Sequence, residues 1–425
     1  MSAFPDNGHA VLIGGGPAGA ACALALQRQA ALAGRSVRIT VLEGKQFGVE
    51  SHYNQCVGVL SPPLAHLMEE ELGVPFPAHL SRGEITGYVV HTDREEIVLD
   101  GDRHPSTALR RVHFDAYMLD AVRERGIPVL TTRAVDLEFH ADYIVVYTES
   151  MPLQADVVVG AFGLDEGSAA IFSRLTGYRP PSSLASVVTK YHPGPAEMAA
   201  FGSRIHAFLP AEPSIEFGGV TPKGNHLTIN IVGDAVDVKR MQEFLDMPSV
   251  RAVLPNLDNA GAYDANDLRF FKGRFPCSLA HGYYGDRFVL VGDAAGLVRA
   301  FKGKGVTSGV LTGIRAAHTI VQAGISRQAF HDAYRSANHD IISDLPFGRT
   351  MRVLTIWFAR LGLLDPLVRA AHQDANLQAA LFDAVSAHAP YRQVMARILR
   401  PRTLLSILGQ MLTRGSRPPL GAIPR

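Results

Sequence analysis

The sequence predicts an α/β protein: a parallel-sheet unit assembled from separated segments, a β-rich part interleaved with it, and a helical C-terminal extension. Three observations carry this reading. Near residue 14 a glycine loop joins a short apolar run to an Ala/Leu-rich helix. Near residue 292 a second apolar run ends in another glycine turn. Between these two points lie alternating strand patterns, and beyond residue 327 only helical patterns remain.

The run Ala10-Val11-Leu12-Ile13 reads as a buried parallel strand. Gly14-Gly15-Gly16-Pro17-Ala18-Gly19 follows at once with the spacing G-x-G-x-x-G. Residues 20–33 read as a helix stopped by Gly34, and residues 35–42 as a second strand closed by Glu43. Each part has a physical reason. Gly14 permits the tight turn, Gly16 lets the backbone approach a pyrophosphate, and Gly19 lets helix and strand pack closely. Together with Pro17 and Ala18 they open a helix whose free N–H groups and positive end suit phosphates. Glu43, 24 residues after Gly19, can accept hydrogen bonds from an adenosine ribose. A lone glycine motif is weak, but strand, loop, helix, strand and acid in this order predict a Rossmann-like dinucleotide site. Cys22, among alanines on the helix, reads as a small buried residue.

Residues 287–291 read as another buried strand, running into Gly292-Asp293-Ala294-Ala295-Gly296. Gly303 and Gly305 then precede a helix over residues 306–321. A domain for NAD alone has no use for this second strand end. FAD has one, because its ribityl chain and ring extend beyond the first site, so FAD is the expected cofactor. The glycine loop with its acid, the segment Arg111-Val112-His113-Phe114-Asp115 (R-x-x-F-D) and the 292–305 segment (GDAAG…GxG) together resemble the geranylgeranyl-reductase-like branch of the flavoproteins. That branch shares its para-hydroxybenzoate-hydroxylase-like fold with aromatic hydroxylases and flavin halogenases. The resemblance spans residues 8–325. It implies that Gly292 and Asp293 contact the ribityl or phosphate region and that Gly303 and Gly305 let the backbone pass close to the flavin. It also implies that the helix beginning at Val306 points its positive end at the ring, and that Arg111 approaches the phosphates or lines the cofactor channel. Arg110 reads as solvated, Phe114 and Leu119 as helix core, and Asp115 as structural.

Residues 155–163 form a buried strand ending in glycines, where the resemblance leads one to expect Ala-Asp-Gly; Phe162 stands in place of the aspartate. That substitution weakens the case for direct pyridine-nucleotide use. The 54–60 segment, Asn54-Gln55-Cys56-Val57-Gly58-Val59-Leu60, resembles the family's cysteine-glycine stretch beside the flavin. Cys56 is therefore the candidate catalytic residue, able to tune the flavin or donate a proton, with a packed thiol as the plain alternative. Strands are expected over residues 84–99 (a hairpin turning at 93–95), 184–191, 204–209, 215–221 and 226–232, with a turn over 221–225. Where the family carries Y-x-W-x-F-P, this chain has Phe217-Gly218-Gly219-Val220-Thr221-Pro222. Phe217 and Pro222 are the candidate substrate-binding residues, and replacing tryptophan by Gly219 reshapes the pocket. The single tryptophan, Trp357, lies outside any halogenase-type motif, which disfavours halogenation. Lys304 reads as an exposed lysine.

These segments predict a discontinuous FAD-binding domain from residues 8–83, 105–165 and 275–326. A β-rich substrate domain takes residues 84–104 and 166–274, and a helical region residues 327–425. With 47% hydrophobic and 19% charged residues the chain is expected to be ordered. A net charge of +1 argues against nucleic-acid binding. Three cysteines without CxxC spacing and no HxxxH pair give no disulfide framework and no metal site. Residues 1–10 lack the pattern of a signal peptide, and no apolar run reaches spanning length, so a cytoplasmic location is expected. Helix breaks are expected at residues 344–348 and 400–402. Residues 384–425 hold seven arginines, no acid and a cluster of leucines, which suggests peripheral contact with an anionic inner-membrane surface. The leading expectation is reduction of C=C bonds in an apolar isoprenoid or lipid-like substrate, with NAD(P)H or a ferredoxin-like protein as electron donor. A flavin monooxygenase acting on an aromatic or polyketide-like molecule is the alternative, and a non-catalytic flavin relay or sensor the third.

Overall fold

The computed structural model describes residues 3–46, 56–100, 105–212, 214–255, 268–299 and 304–412. Its first layer is a six-stranded sheet in the order Tyr284–Gly285, Phe288–Leu290, Val157–Gly160, Gly8–Ile13, Val37–Leu42 and Val129–Leu130. All neighbours are parallel except the first pair. The apolar runs form this sheet because parallel strands are covered on both faces, and Val11, Leu12, Val158 and Val289 are fully buried. Register aligns the carboxyl ends: Ile13 lies opposite both Leu42 and Gly160, and Gly160 opposite Leu290. Chain order reverses at the Gly8–Ile13 strand, which is where open α/β sheets present ligands.

Two helices pack together on this sheet, Pro17–Leu32 and Gly305–Gln322. Their seam is built from small residues. A Cβ on Gly313 would lie 2.4 Å from the Ala18 carbonyl oxygen, and one on Gly309 3.4 Å from Ala18 Cβ. A three-stranded antiparallel meander, Ala134–Phe139, Ile144–Thr148 and Pro152–Ala155, leads into the Val157–Gly160 strand.

The second layer is a seven-stranded sheet in the order Phe271–Pro276, Ser183–Tyr191, His226–Gly233, Phe217–Lys223, Arg204–Phe208, Gly87–His91 and Glu96–Asp100. Residues alternate between its faces. Val187, Tyr191, Val220, Ile229 and Ile231 point to one side and bury Phe244 and Met241 of the helix Val238–Leu245. At the other end of the sheet Tyr88, Val90, Ile97 and Leu99 pack against Val368, Leu377 and Ile407 of the C-terminal helices. Arg352 ties these helices to the sheet through buried Glu216 and through Asp234. A small sheet of Val59–Leu60, Ser106–Leu109 and Ser81–Ile85 lies between the two layers in the chain.

The expected hairpin over residues 84–99 forms with His91 opposite Glu96, but its first residues belong instead to the small sheet. The turn expected over residues 221–225 is shorter, because Pro222 and Lys223 pair with Leu227 and His226. The break expected at residues 344–348 is absent. The helix His339–Arg360 runs through Pro346, and buried Asp344 accepts the backbone N–H groups of Tyr391 and Arg392, fixing the next helix against it. The break at residues 400–402 is present, with Pro401 opening the helix Pro401–Leu412.

Candidate functional site

The glycine loop has the geometry its three roles require. Gly14 sits at φ 109°, and a Cβ there would lie 2.5 Å from the Ala161 carbonyl oxygen. A Cβ on Gly19 would lie 1.9 Å from the Gly14 carbonyl oxygen, so only glycine lets this turn close on its helix. A Cβ on Gly16, by contrast, would meet nothing within 4 Å. It faces the open cradle at the helix start, where Pro17 occupies the first turn and no side chain caps the N–H groups. That combination fits a pyrophosphate. Glu43 is at the loop: Oε2 accepts the Gly15 N–H at 2.8 Å and Oε1 the Lys45 N–H at 2.9 Å. Its carboxylate thus fastens the loop from the position expected for a ribose partner.

The second strand end closes on the same place. Gly292 has φ 59°, and a Cβ there would lie 3.1 Å from Ala18 Cβ. Its N–H donates to Thr312 Oγ1 at 2.9 Å. Asp293 follows, and Gly305 opens the Gly305–Gln322 helix with its Cβ position 3.6 Å from Asp293 Oδ1. No side chain caps this helix, whose first turn contains Val306, buried. Lys304, expected to be exposed, is its partly buried N-cap. Gly303 lies outside the described residues, as do Asn54 and Gln55.

Arg111 joins this end to the other elements. It opens the helix Arg111–Glu124 and donates to Asp115 Oδ1 at 3.0 and 2.9 Å. Burial opposes its charge, but Asp115, Cys56 and Asp293 hold the guanidinium above the ordinary arginine range. Burial pushes the Asp293 carboxyl up, and Arg111 opposes that rise. Asp115, read as structural, is thus what positions Arg111. Phe162, in place of the expected aspartate, stacks on Phe172 at 5.4 Å and meets Tyr178 edge-on. The substitution exchanges a polar contact for aromatic packing.

Cys56 is exposed, and its Sγ accepts the Gly58 N–H at 3.4 Å and Arg111 Nη1 at 4.0 Å. The Gly58 carbonyl oxygen accepts the Leu109 N–H at 2.8 Å. Gly58 sits at φ 70°, and a Cβ there would lie 2.2 Å from the Leu109 carbonyl oxygen and 2.9 Å from Lys223 Nζ. The cysteine turn therefore rests directly on the seven-stranded sheet. Phe217 shares the Lys223 face of its strand but packs among Leu184, Val232 and Phe275, whereas Pro222 lies on the opposite face by alternation.

Lys223 and its neighbours are what the sequence reading missed. Lys223 is 2% exposed, and burial, helped by Lys190, Arg110 and Arg111, pushes its ammonium down to about 8 against the opposing pull of Cys56. The signal was present in the alternation, since Gly219, Thr221 and Lys223 fall on one face of a strand and none is bulky and apolar. Among the described residues no group of acids, histidines and cysteines has the arrangement of a metal site.

Residues 11–165 match the family model described as FAD-NAD(P)-binding. The N-terminal part of this chain is an FAD/NAD(P)-binding domain. Solved structures share the fold of nearly the whole chain. A geranylgeranyl bacteriochlorophyll reductase-like protein from Thermoplasma acidophilum superposes with a TM-score of 0.68 at 14% identity, over 95% of this chain and 99% of the other. A flavoprotein/dehydrogenase from Cytophaga hutchinsonii gives 0.67 at 16%, over 95% and 99%. A p-nitrophenol 4-monooxygenase from Pseudomonas putida gives 0.62 at 17%, over 90% and 97%. The expected α/β architecture, an FAD/NAD(P)-binding domain with a β-rich partner sheet and helical extension, is thus present. Surface clefts of about 400 and 340 Å³ lie elsewhere, one beside Asp93 and Met247 and one beside Leu164 and Arg274. Neither is lined by the glycine loop, Asp293 or Arg111.

Two predictions follow from this geometry. Compared as apoproteins, Gly16→Val unfolds within about 0.5 kcal/mol of wild type, yet it fails to retain flavin, read as the 450 to 280 nm absorbance ratio of the purified protein. Gly19→Val loses both flavin and about 1–3 kcal/mol of stability. Equal loss of stability in the two variants refutes the cradle assignment. The second concerns Lys223. Its folded-state pKa of about 8 lies below the unfolded 10.5, so the unfolded chain binds the extra proton between these values and wild-type stability rises with pH across that window. Lys223→Met is therefore more stable than wild type by about 1–3 kcal/mol below pH 8, and the gap closes toward pH 10.5 in urea titrations.

Proposed function

We propose that this protein is an FAD-dependent oxidoreductase that reduces carbon–carbon double bonds of an isoprenoid or lipid-like substrate held between the seven-stranded sheet and the FAD/NAD(P)-binding domain. One observation carries the reading: Asp293, Arg111, Cys56 and Lys223 form a continuous path from the second strand end to the sheet. A cofactor lying along the first two and a substrate lying on the last would meet at the cysteine turn. Gly14, Gly16 and Gly19 would hold the pyrophosphate, Asp293 and Arg111 the middle of the cofactor, and the uncapped Gly305–Gln322 helix would face its ring. FAD supplies the two-electron transfer, and the chain orients and electrostatically tunes it. Cys56 would hold a proton at Sγ for delivery to the substrate, with Arg111 positioning that sulfur. Phe162 favours a protein donor or a transient NAD(P)H encounter over a dedicated pyridine-nucleotide site.

The fold likeness to p-nitrophenol 4-monooxygenase keeps a monooxygenase as the second reading. Anaerobic reduction with dithionite, then rapid mixing with oxygenated buffer, separates the two. Direct return to the oxidised spectrum, with or without ligand, is expected. A transient absorbing species before reoxidation overturns the reductase reading.

We infer also that the C-terminal helices touch a membrane surface. Val353, Leu354, Trp357 and Leu361 form one exposed apolar stripe, with Trp357 61% exposed. Leu404, Leu405, Leu408 and Leu412 form another, on the side of their helix opposite buried Ile407. Arg349, Arg360, Arg400 and Arg402 lie on or beside these helices. No helix among the described residues is long and apolar enough to cross a membrane, so contact would be interfacial. Co-sedimentation with phosphatidylglycerol vesicles at low salt is expected. Trp357→Ser with Leu405→Ser should abolish it, and failure of the wild-type protein to sediment refutes the inference.

A further inference from the structure

Where it meets the cysteine turn, one face of the seven-stranded sheet is polar and buried, whereas Leu184, Val232 and Phe217 fill it farther along. Register puts Lys190, Thr228 and Thr221 side by side across three strands, with Asn230 and Gly219 in the next row and Lys223 opposite His226. Thr221, Lys223, His226, Thr228 and Asn230 are each less than one-tenth exposed. Thr228 Oγ1 and His226 Nε2 are buried with no hydrogen-bond partner among the described residues. Burial of such groups costs stability unless something satisfies them.

The charges around this face have one sign. Lys190, Arg110 and Arg111 oppose the Lys223 charge, and among the described residues the Cys56 sulfur is the one group favouring it. Lys190 is held below the ordinary lysine range by burial and then by Arg110. His226 is pushed down to about 3 by burial first, then by Lys223, His192, Lys190 and Arg110. Arg111 has its own carboxylate in Asp115, but no ion pair ties Lys223 or Lys190 to an acid among the described residues. Gly219 and Thr221 stand where the resembled motif carries two large aromatic residues. Glycine and threonine place less side-chain bulk beside the lysines and Thr228 than a tryptophan and a phenylalanine would at these positions.

We infer that Lys223 and Lys190, with the Thr228 hydroxyl, form a subsite that binds the carboxylate or phosphate of an otherwise apolar substrate. The inference rests on the substrate cleft proposed above and names the group by which that substrate is held. An anion on Lys223 would neutralise the unpaired cations, accept from the orphaned hydroxyl and anchor the molecule next to Cys56. Charge-assisted hydrogen bonds of this kind are the strong ones in a partly dry site.

The test uses the flavin-loaded protein and three probes that share one chain: farnesoate, farnesyl phosphate and farnesol. Affinity is measured by calorimetry, and contact with the cofactor by the flavin difference spectrum. At least one anion is expected to bind on the order of tenfold or more tightly than the neutral alcohol, and which anion does so distinguishes carboxylate from phosphate. Lys223→Met should abolish the preference while keeping flavin content and an unfolding temperature at or above wild type, which separates lost binding from misfolding; Lys190→Gln should reduce it. Equal affinity for all three probes, no binding of any, or a preference that survives Lys223→Met overturns the subsite. Binding through Lys223 with no change in the flavin spectrum refutes the reductase reading of the cleft alone and leaves the anion subsite standing.

Discussion

The close approach of backbone to backbone at the glycine loop is the constraint on which the rest of this structure depends. Gly19 abuts the Gly14 carbonyl, Gly14 abuts Ala161, and Ala18 is met from the other side by Gly292, Gly309 and Gly313. Seven residues without bulky side chains thus bring two strand ends and two helix starts to a single point. Neither helix start carries a side-chain cap, so both leave N–H groups directed at the same region. A methyl group at most of these positions would force the elements apart at a cost of about 1–3 kcal/mol each. Gly16 is the exception. No packing requires it, and its lack of a side chain is explained only by what the cradle receives.

From that point a line of charge runs outward. The Arg111 charge acts on Asp293, Arg111 is held by Asp115, and Cys56 takes a weak hydrogen bond from the same guanidinium before the turn at Gly58 touches Lys223. The line crosses from the parallel sheet to the antiparallel one through residues contributed by four separate stretches of chain. Ser61 strengthens the crossing: its carbonyl accepts Thr307 Oγ1 at 3.3 Å and its hydroxyl accepts Ser106 Oγ at 2.9 Å. The cysteine turn is therefore clamped to the Gly305–Gln322 helix and to the strand that leads into Arg111. A reaction at this place would be positioned by rigid elements on every described side.

How much of this was legible in the sequence depends on whether local or distant neighbours set each residue's role. The glycine loop, its strands and its helix were readable because each glycine answers a backbone demand within six residues. Most strands of the second sheet were readable from period two. Pro346 was misread, because Thr350 and the packing around Asp344 keep its helix continuous, and neither is visible in the local pattern. Glu43 was expected to hold a ribose, and the structure shows its carboxylate accepting the Gly15 N–H. Asp115 was read as structural, but its partner Arg111 was not legible, because that pairing depends on Arg111 being buried. Lys223 was dismissed as part of a turn because a Pro-Lys-Gly-Asn string reads as solvent-exposed. One more pair of strand hydrogen bonds carries it inward.

That inward lysine separates a structural from a functional explanation of the second sheet. Its two faces are built from the same strands, so propensity and register cannot distinguish them. One face is filled by Val187, Val220, Ile229 and Phe244 and needs nothing more. The other keeps a buried ammonium with no acid beside it, and two polar atoms with no partner, among the described residues. Selection for stability alone would replace these groups with valine or leucine, since an apolar side chain of similar volume removes the desolvation cost without leaving an unpaired group. A protein that retains several such groups on one face, adjacent to the place where its cofactor elements converge, is trading stability for recognition. The polar face is complementary in charge to an anion, and the face behind it, packed on Phe244 and Met241, holds the strands in place, so charge and packing are segregated to opposite faces of one sheet.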